Sequence, residues 1–147
     1  MMMNSTYGGV PGVALITMAF AIAYGGDGAA YFGGRAFGKH KLCPSVSPKK
    51  TVEGAIFGLI GGTAVGLICR AVFVSVFHMR MPIPATIALG LIGSVAGEIG
   101  DLSASLLKRH SGIKDYGKIF PGHGGVMDRF DSVIFTLIVV YCYTLVL

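Results

Sequence analysis

Charge is what this sequence has least of. Only 13% of its 147 residues are Asp, Glu, Lys or Arg, whereas a soluble domain carries about 25%. Mean hydropathy is +0.71 and 53% of the residues are hydrophobic, which excludes an ordinary soluble domain and a disordered chain alike. Cysteine is scarce too. Cys43, Cys69 and Cys142 are odd in number and far apart, so they exclude a disulfide scaffold and read as unpaired small hydrophobes. The opening segment MMMNSTYGG carries no positive charge. It lacks the basic n-region of a cleavable signal peptide, and the first apolar run reads as a retained span.

What these exclusions leave is an all-α polytopic integral membrane protein forming a single membrane domain. A helix needs about 20 apolar residues to cross a bilayer, and four stretches meet that need: 10–32, 52–77, 83–107 and 130–147. Ten of the twelve Lys and Arg residues fall between them, in the segments 33–51 and 108–129, while the turn at 78–84 holds only Arg80. The positive-inside rule puts both basic loops in the cytoplasm and both termini on the opposite side. The pI near 9.3 thus comes from loops and not from a nucleic-acid surface, so no nucleic-acid partner is expected. Glycine is plentiful, at 23 residues, and Gly54, Gly58, Gly62 and Gly66 line one face of the second span as Gly93 and Gly97 do in the third. Small residues let helix backbones approach closely in lipid. Such faces permit a homodimer without requiring one.

The acidic residues stand where a membrane helix would not keep them for packing. Asp27 lies in the first span, Glu98 and Asp101 interrupt the third, and Asp128 and Asp131 open the fourth. A charge within a span costs about 2.5–3.5 kcal/mol on insertion scales, so a functional reading is the default. Glu98, Asp101, Ser105 and Lys108 follow a spacing that places them on one helix stripe, and Asp128 and Asp131 share a face. Carboxylates among Lys and Arg fit a hard divalent cation and phosphate groups. The competing reading is interfacial salt bridging, Asp101 with Lys108 and Asp128 with Arg129 or Lys118.

The basic loops extend this chemistry. In SVSPKKTVEG, Ser47 reads as a helix N-cap and Pro48 as the first helical residue. Such a terminus offers free N–H groups to an anion, beside Lys49 and Lys50. Gly33, Gly34 and Gly38 in YFGGRAFGKHK would let backbone approach a ligand, although no Ser or Thr follows Lys39 and no strand precedes it, so this is no Walker motif. A flexible loop on anionic lipid is the alternative. His123, in PGHGG, reads as a backbone cap or phosphate contact, because no other His or Cys stands at zinc-ligand spacing.

The stretch SLLKRHSGIKDYGKIFPGHGGVMDRFD, from Ser105 to Asp131, closely resembles the signature of the phosphatidate cytidylyltransferases, with its S-x-x-K-R, K-D-x-G and P-x-H-G-G-x-x-D-R-x-D elements in order. The upstream D-x-x-A-Y-x-x-G, G-K and S-P-K-K-T-x-E-G strings are similar to the same family. The resemblance implies a membrane enzyme of the bacterial inner-membrane type, its active site facing the cytoplasm, joining CTP to phosphatidic acid to give CDP-diacylglycerol and pyrophosphate. It implies Mg²⁺, with a monovalent cation such as K⁺ beside it. Position by position, Asp101, Asp128 and Asp131 match the metal-site aspartates, and the resemblance has these three act with Lys108 in catalysis. Ser47, Lys49, Lys50, Thr51, Arg109, Lys114, His123 and Arg129 match the substrate-phosphate set, and Asp27, Glu98 and Ser105 are further candidates. The helices that members carry before this part are expected to be absent from this chain.

The chemistry of the residues agrees with that expectation. A phosphate oxygen is already anionic near neutral pH, so the difficulty is bringing one anion against another, which metal and cations relieve. Two alternatives stay open. A CTP-dependent polyprenol or phytol kinase would share the upstream strings but is not expected to carry HGGVMDRFD. A truncated structural membrane protein would keep the residues without turnover.

Overall fold

In a computed structural model, residues 6–7, 10–78, 81–113, 116 and 127–146 are described, with the side chains of 6–7, 77, 127–129 and 146 left aside. Four helices dominate: α1 (Gly12–Phe37), α2 (Val52–Phe77), α3 (Ile83–His110) and α4 (Met127–Val146). Two small antiparallel hairpins accompany them. Strands β1 (Thr6–Tyr7) and β2 (Val10–Pro11) precede α1, while β3 (Lys41–Cys43) and β4 (Ser47–Thr51) join α1 to α2.

Three helices, Gly12–Phe37, Val52–Val76 and Ile83–His110, are long and apolar enough to cross a membrane, and Phe130–Leu145 is a shorter apolar helix. The chain is an all-α polytopic integral membrane protein. The expected second span matches α2. The other helices run past their apolar stretches, α1 to Phe37 and α3 to His110, while α4 starts at Met127. Hydropathy falls where charges begin, but backbone hydrogen bonding continues through them.

Packing follows the small residues. A methyl group on Gly58 would lie 3.1 Å from the Ala30 side chain and 3.3 Å from the Gly26 carbonyl, and one on Gly66 would lie 3.3 Å from Ile22. The glycine face of α2 is thus the seam with α1. Ile56, Ile60, Ile68 and Val72 of the same helix are exposed, as large apolar side chains that meet lipid are. In α3, Gly93 and Gly97 stand against Thr136 and Ser132 of α4. The bundle's apolar core, around Val10, Leu15, Met18, Ile22, Leu89 and Val140, lies towards the amino-terminal part of α1. Arg70, the one cation inside α2, donates from Nε to the Met81 carbonyl at 2.7 Å. All three cysteines are free thiols.

Candidate active site

A cavity of about 450 Å³ opens between α1, α2, α3, α4 and β4, within the range of about 300–1,000 Å³ common for small-molecule sites. Asp27 from α1, Glu98 and Asp101 from α3, and Asp131 from α4 all line it. Lys49, Lys50 and Thr51 of β4 close one side, and Arg35 and Tyr31 of α1 another.

Lys50 is the centre of the charge arrangement. Its Nζ lies 2.5 Å from Glu98 Oε2 and 2.6 Å from Asp101 Oδ2. Burial acts to lower the ammonium's pKa, but the Asp101 and Glu98 carboxylates outweigh it, holding the group above its ordinary value and charged at neutral pH. Across the cavity, Ser132 Oγ donates to Asp27 Oδ2 at 2.8 Å, and Asp131 Oδ1 accepts from the Ser132 backbone N–H at 2.8 Å. Asp131 is buried to 7% exposure, so one end of α4 presents a carboxylate shielded from bulk solvent. The salt-bridge reading names Lys108 as the partner of Asp101; the ion pair described for Asp101 is with Lys50, from a different element.

The route into α2 also differs from the sequence expectation. Ser47 and Pro48 do not start the helix; they belong to β4, and Thr51 is the N-cap, its Oγ1 accepting from the Gly54 N–H at 3.1 Å. Proline is tolerated there because the hairpin is an exposed edge where a missing N–H costs nothing. The glycines of YFGGRAFGKHK are likewise spent on packing. A methyl group on Gly33 would overlap the Phe57 ring, and one on Gly34 would come 2.9 Å from Thr51 Oγ1. Helix α2 and its Thr51 cap are what this backbone approaches, and Gly34 also lines the cavity.

The remaining described candidates are not in the cavity lining. Ser47 and Ser105 are half-buried but outside the cavity wall. Lys108 lies over the Tyr116 ring, 5.3 Å from its centroid, and Tyr116 donates its hydroxyl hydrogen to the Ala104 carbonyl at 3.2 Å. Arg109 Nε donates to the Val46 carbonyl at 3.3 Å, tying the end of α3 to the hairpin. Both cations also stand in the last turn of α3, where the helix dipole favours positive charge. Lys114 and His123 lie outside the described residues, as do the side chains of Asp128 and Arg129, whose backbone is in the first turn of α4.

Two cavity residues, Tyr31 and Arg35, are not among the sequence candidates. The signal is there: Asp27, Tyr31 and Arg35 are spaced by four on one helical face. It is lost when the first span is ended at residue 32, because Arg35 then becomes a loop residue.

Comparison with known proteins identifies the family. A family model described as the cytidylyltransferase family matches residues 2–147. The phosphatidate cytidylyltransferase of Bacillus subtilis (strain 168) is 42% identical over 130 residues, covering 88% of this chain and 47% of that protein. Proteins of the same name from Staphylococcus haemolyticus and Staphylococcus saprophyticus are 44% and 45% identical over 126 residues, each covering 86% of this chain and 47% of the relative. The chain spans about half the length of the curated relatives it matches. With the match running from its second residue to its last, the chain belongs to the cytidylyltransferase family.

Proposed function

We propose that this chain carries the nucleotidyl-transfer site of a phosphatidate cytidylyltransferase. The reaction joins a phosphate oxygen of phosphatidic acid to the α-phosphorus of CTP, breaks the α–β phosphoanhydride bond, and releases pyrophosphate with CDP-diacylglycerol. The observation that carries this reading is the meeting of Asp27, Glu98, Asp101 and Asp131 with Lys49, Lys50 and Arg35 on one cavity at one end of an apolar bundle.

The residues supply what such a transfer needs. Nucleophile and triphosphate are both anionic, so no strong general base is required, and the barrier lies in positioning and charge. Lys49, Lys50 and Arg35 bring three cations to the cavity wall from two directions. Lys50 is held in place by two carboxylates and so presents its charge without first losing side-chain freedom. Mg²⁺ belongs to the same reading. Asp101 and Asp131 line the same cavity, and carboxylates joined by substrate phosphates are the hard donors that Mg²⁺ uses; among the described residues no three such side chains cluster to hold an ion without the substrate. Asp101 and Asp131, together with Asp128 on the family resemblance alone, would hold the ion, and the ion would supply charge neutralisation at the triphosphate.

The cavity end carries the basic segments, so it faces the cytoplasm by the positive-inside rule, where CTP is found and where the lipid phosphate lies at the interface. In a Cys43→Ala background, Ser45→Cys reacts with an impermeant thiol reagent from the cytoplasmic side; labelling from outside inverts the topology.

The deciding experiment measures CDP-diacylglycerol and pyrophosphate from CTP, phosphatidic acid and Mg²⁺ in mixed micelles, with Asp101→Asn and Asp128→Asn as controls. Both products from wild type and neither from the variants establish the reading. CDP in place of pyrophosphate points to the kinase, and no turnover from folded protein marks a chain that needs more than these four helices.

A further inference from the structure

Glu53 has no part in the cavity wall, yet it makes the densest set of polar contacts of any acidic side chain among the described residues. It stands in the first turn of α2, where a carboxylate ordinarily serves the free N–H groups of its own helix. It also reaches back to the segment that follows α1. Oε2 accepts from the backbone N–H of Lys39 at 3.1 Å and of His40 at 3.2 Å. Oε1 accepts from the same His40 N–H at 3.3 Å and lies 2.7 Å from His40 Nδ1. The connection is reciprocal, because the Val52 N–H donates to the His40 carbonyl at 3.0 Å.

Two consecutive backbone N–H groups and an imidazole converging on one point form an anion-binding nest. Here an internal carboxylate fills it. The consequence falls on what lies between the joined ends. Residues 39 to 53 contain β3, β4 and the cavity-lining Lys49 and Lys50, and the pairing of Lys41 with Thr51 sets the register that points Lys50 at Glu98 and Asp101. A short two-stranded hairpin is marginal by itself. The Glu53 carboxylate closes its base, and Arg109 meets its turn at the Val46 carbonyl.

We propose that Glu53 is a positioning residue: by occupying the Lys39–His40 nest it holds the β3–β4 hairpin against the bundle and thereby sets the affinity of the cavity for the triphosphate of CTP. The hairpin clasp stands on geometry alone, and only the link to CTP rests on the cytidylyltransferase reading. Pre-organising a charged loop lowers the ordering cost of binding and affects ground-state affinity before it affects the chemical step.

The test has two arms that fail separately. Cys43 sits in β3 and is half-buried, so in a Cys69→Ala, Cys142→Ala background its reaction rate with a water-soluble maleimide reports hairpin opening. Glu53→Ala should raise that rate at least about tenfold, the scale of losing charge-assisted hydrogen bonds. Glu53→Gln, which keeps one acceptor oxygen for the backbone, should restore part of the protection, and His40→Ala, which removes only the imidazole, should have the smallest effect. An unchanged Cys43 rate in folded Glu53→Ala protein overturns the clasp. If that variant does not fold, the same ranking of Glu53→Gln above His40→Ala decides, and equal rates with wild type overturn it. The kinetic arm expects the KM for CTP to rise about tenfold in Glu53→Ala with the KM for phosphatidic acid unchanged. A proportionate fall in kcat with both KM values unmoved overturns the link to CTP. A wild-type chain without CDP-diacylglycerol formation overturns the functional reading and the CTP link together, leaving the clasp to the thiol rates.

Discussion

The two ends of this four-helix bundle are built by opposite means. Towards the start of α1, Val10, Leu15, Met18 and Ile22 are wholly buried and interlock with Leu89 and Val140. Further along the same helix, beyond Ile22, the contacts change character. Gly26 faces Gly58, Ala30 faces Gly54 and Gly58, and Gly34 faces Thr51. Where large side chains fill the first end, backbones nearly touch at the second, beside a cavity lined by four carboxylates. A charged group cannot be left in hydrocarbon at acceptable cost, but it can face a cavity beside a cation. The comparison shows one end spending its residues on packing and the other on a site.

The sharpest way to test that division is to damage each end and compare readouts. At the cavity end, Asp101→Asn should lower CDP-diacylglycerol formation about 1,000-fold, about 4 kcal/mol, as loss of a preorganised charge does, while the melting temperature in detergent moves little. At the packed end, Leu15→Ala should do the reverse. Removing a fully buried leucine costs about 3 kcal/mol, read by thermal unfolding, with turnover per folded molecule retained. If Leu15→Ala abolished turnover in folded protein, the two ends would not be separable.

Between them lies the glycine seam. A methyl group on Gly62 would overlap Ser94 Oγ and lie 3.0 Å from the Ile22 carbonyl. Gly62→Ala should therefore cost about 2 kcal/mol by overpacking and lower activity as well, because α2 and α3 can no longer close around the cavity. A neutral Gly62→Ala would show that the seam gives way easily. Smallest is the cap. Thr51→Ala loses the hydrogen bond from the Gly54 N–H, about 1 kcal/mol, and Thr51→Ser should recover most of it in the same unfolding measurement.

Much of the fold is legible in the amino-acid sequence. Four apolar stretches correspond to four helices, and for α2 the range 52–77 matches the helix itself. The glycine spacing marks its packing face, since Gly54, Gly58, Gly62 and Gly66 all stand against α1 or α3. What misleads is the assumption that a helix ends where hydropathy does. Arg35 continues α1 and reaches the cavity, while Ser47 and Pro48, which look like a helix start, form a strand because Thr51 provides the cap. Of the candidate site residues, Asp27, Lys49, Lys50, Thr51, Glu98, Asp101 and Asp131 share the cavity, whereas Ser47 and Ser105 stand outside its wall and Lys108 and Arg109 contact Tyr116 and Val46.

Composition and periodicity alone determined that this chain is a membrane bundle, which four stretches become helices, which face of α2 packs and which carboxylates lie within apolar runs. These are properties of single segments against lipid, and each segment carries its own record of them. Tertiary structure decided the partners. Lys50 meets Glu98 across 48 positions of chain, Asp27 meets Ser132 across 105, and Glu53 reaches back to Lys39 and His40. No periodicity encodes such pairs, because which charge neutralises which depends on how the helices turn about one another and on a hairpin register set by a few hydrogen bonds.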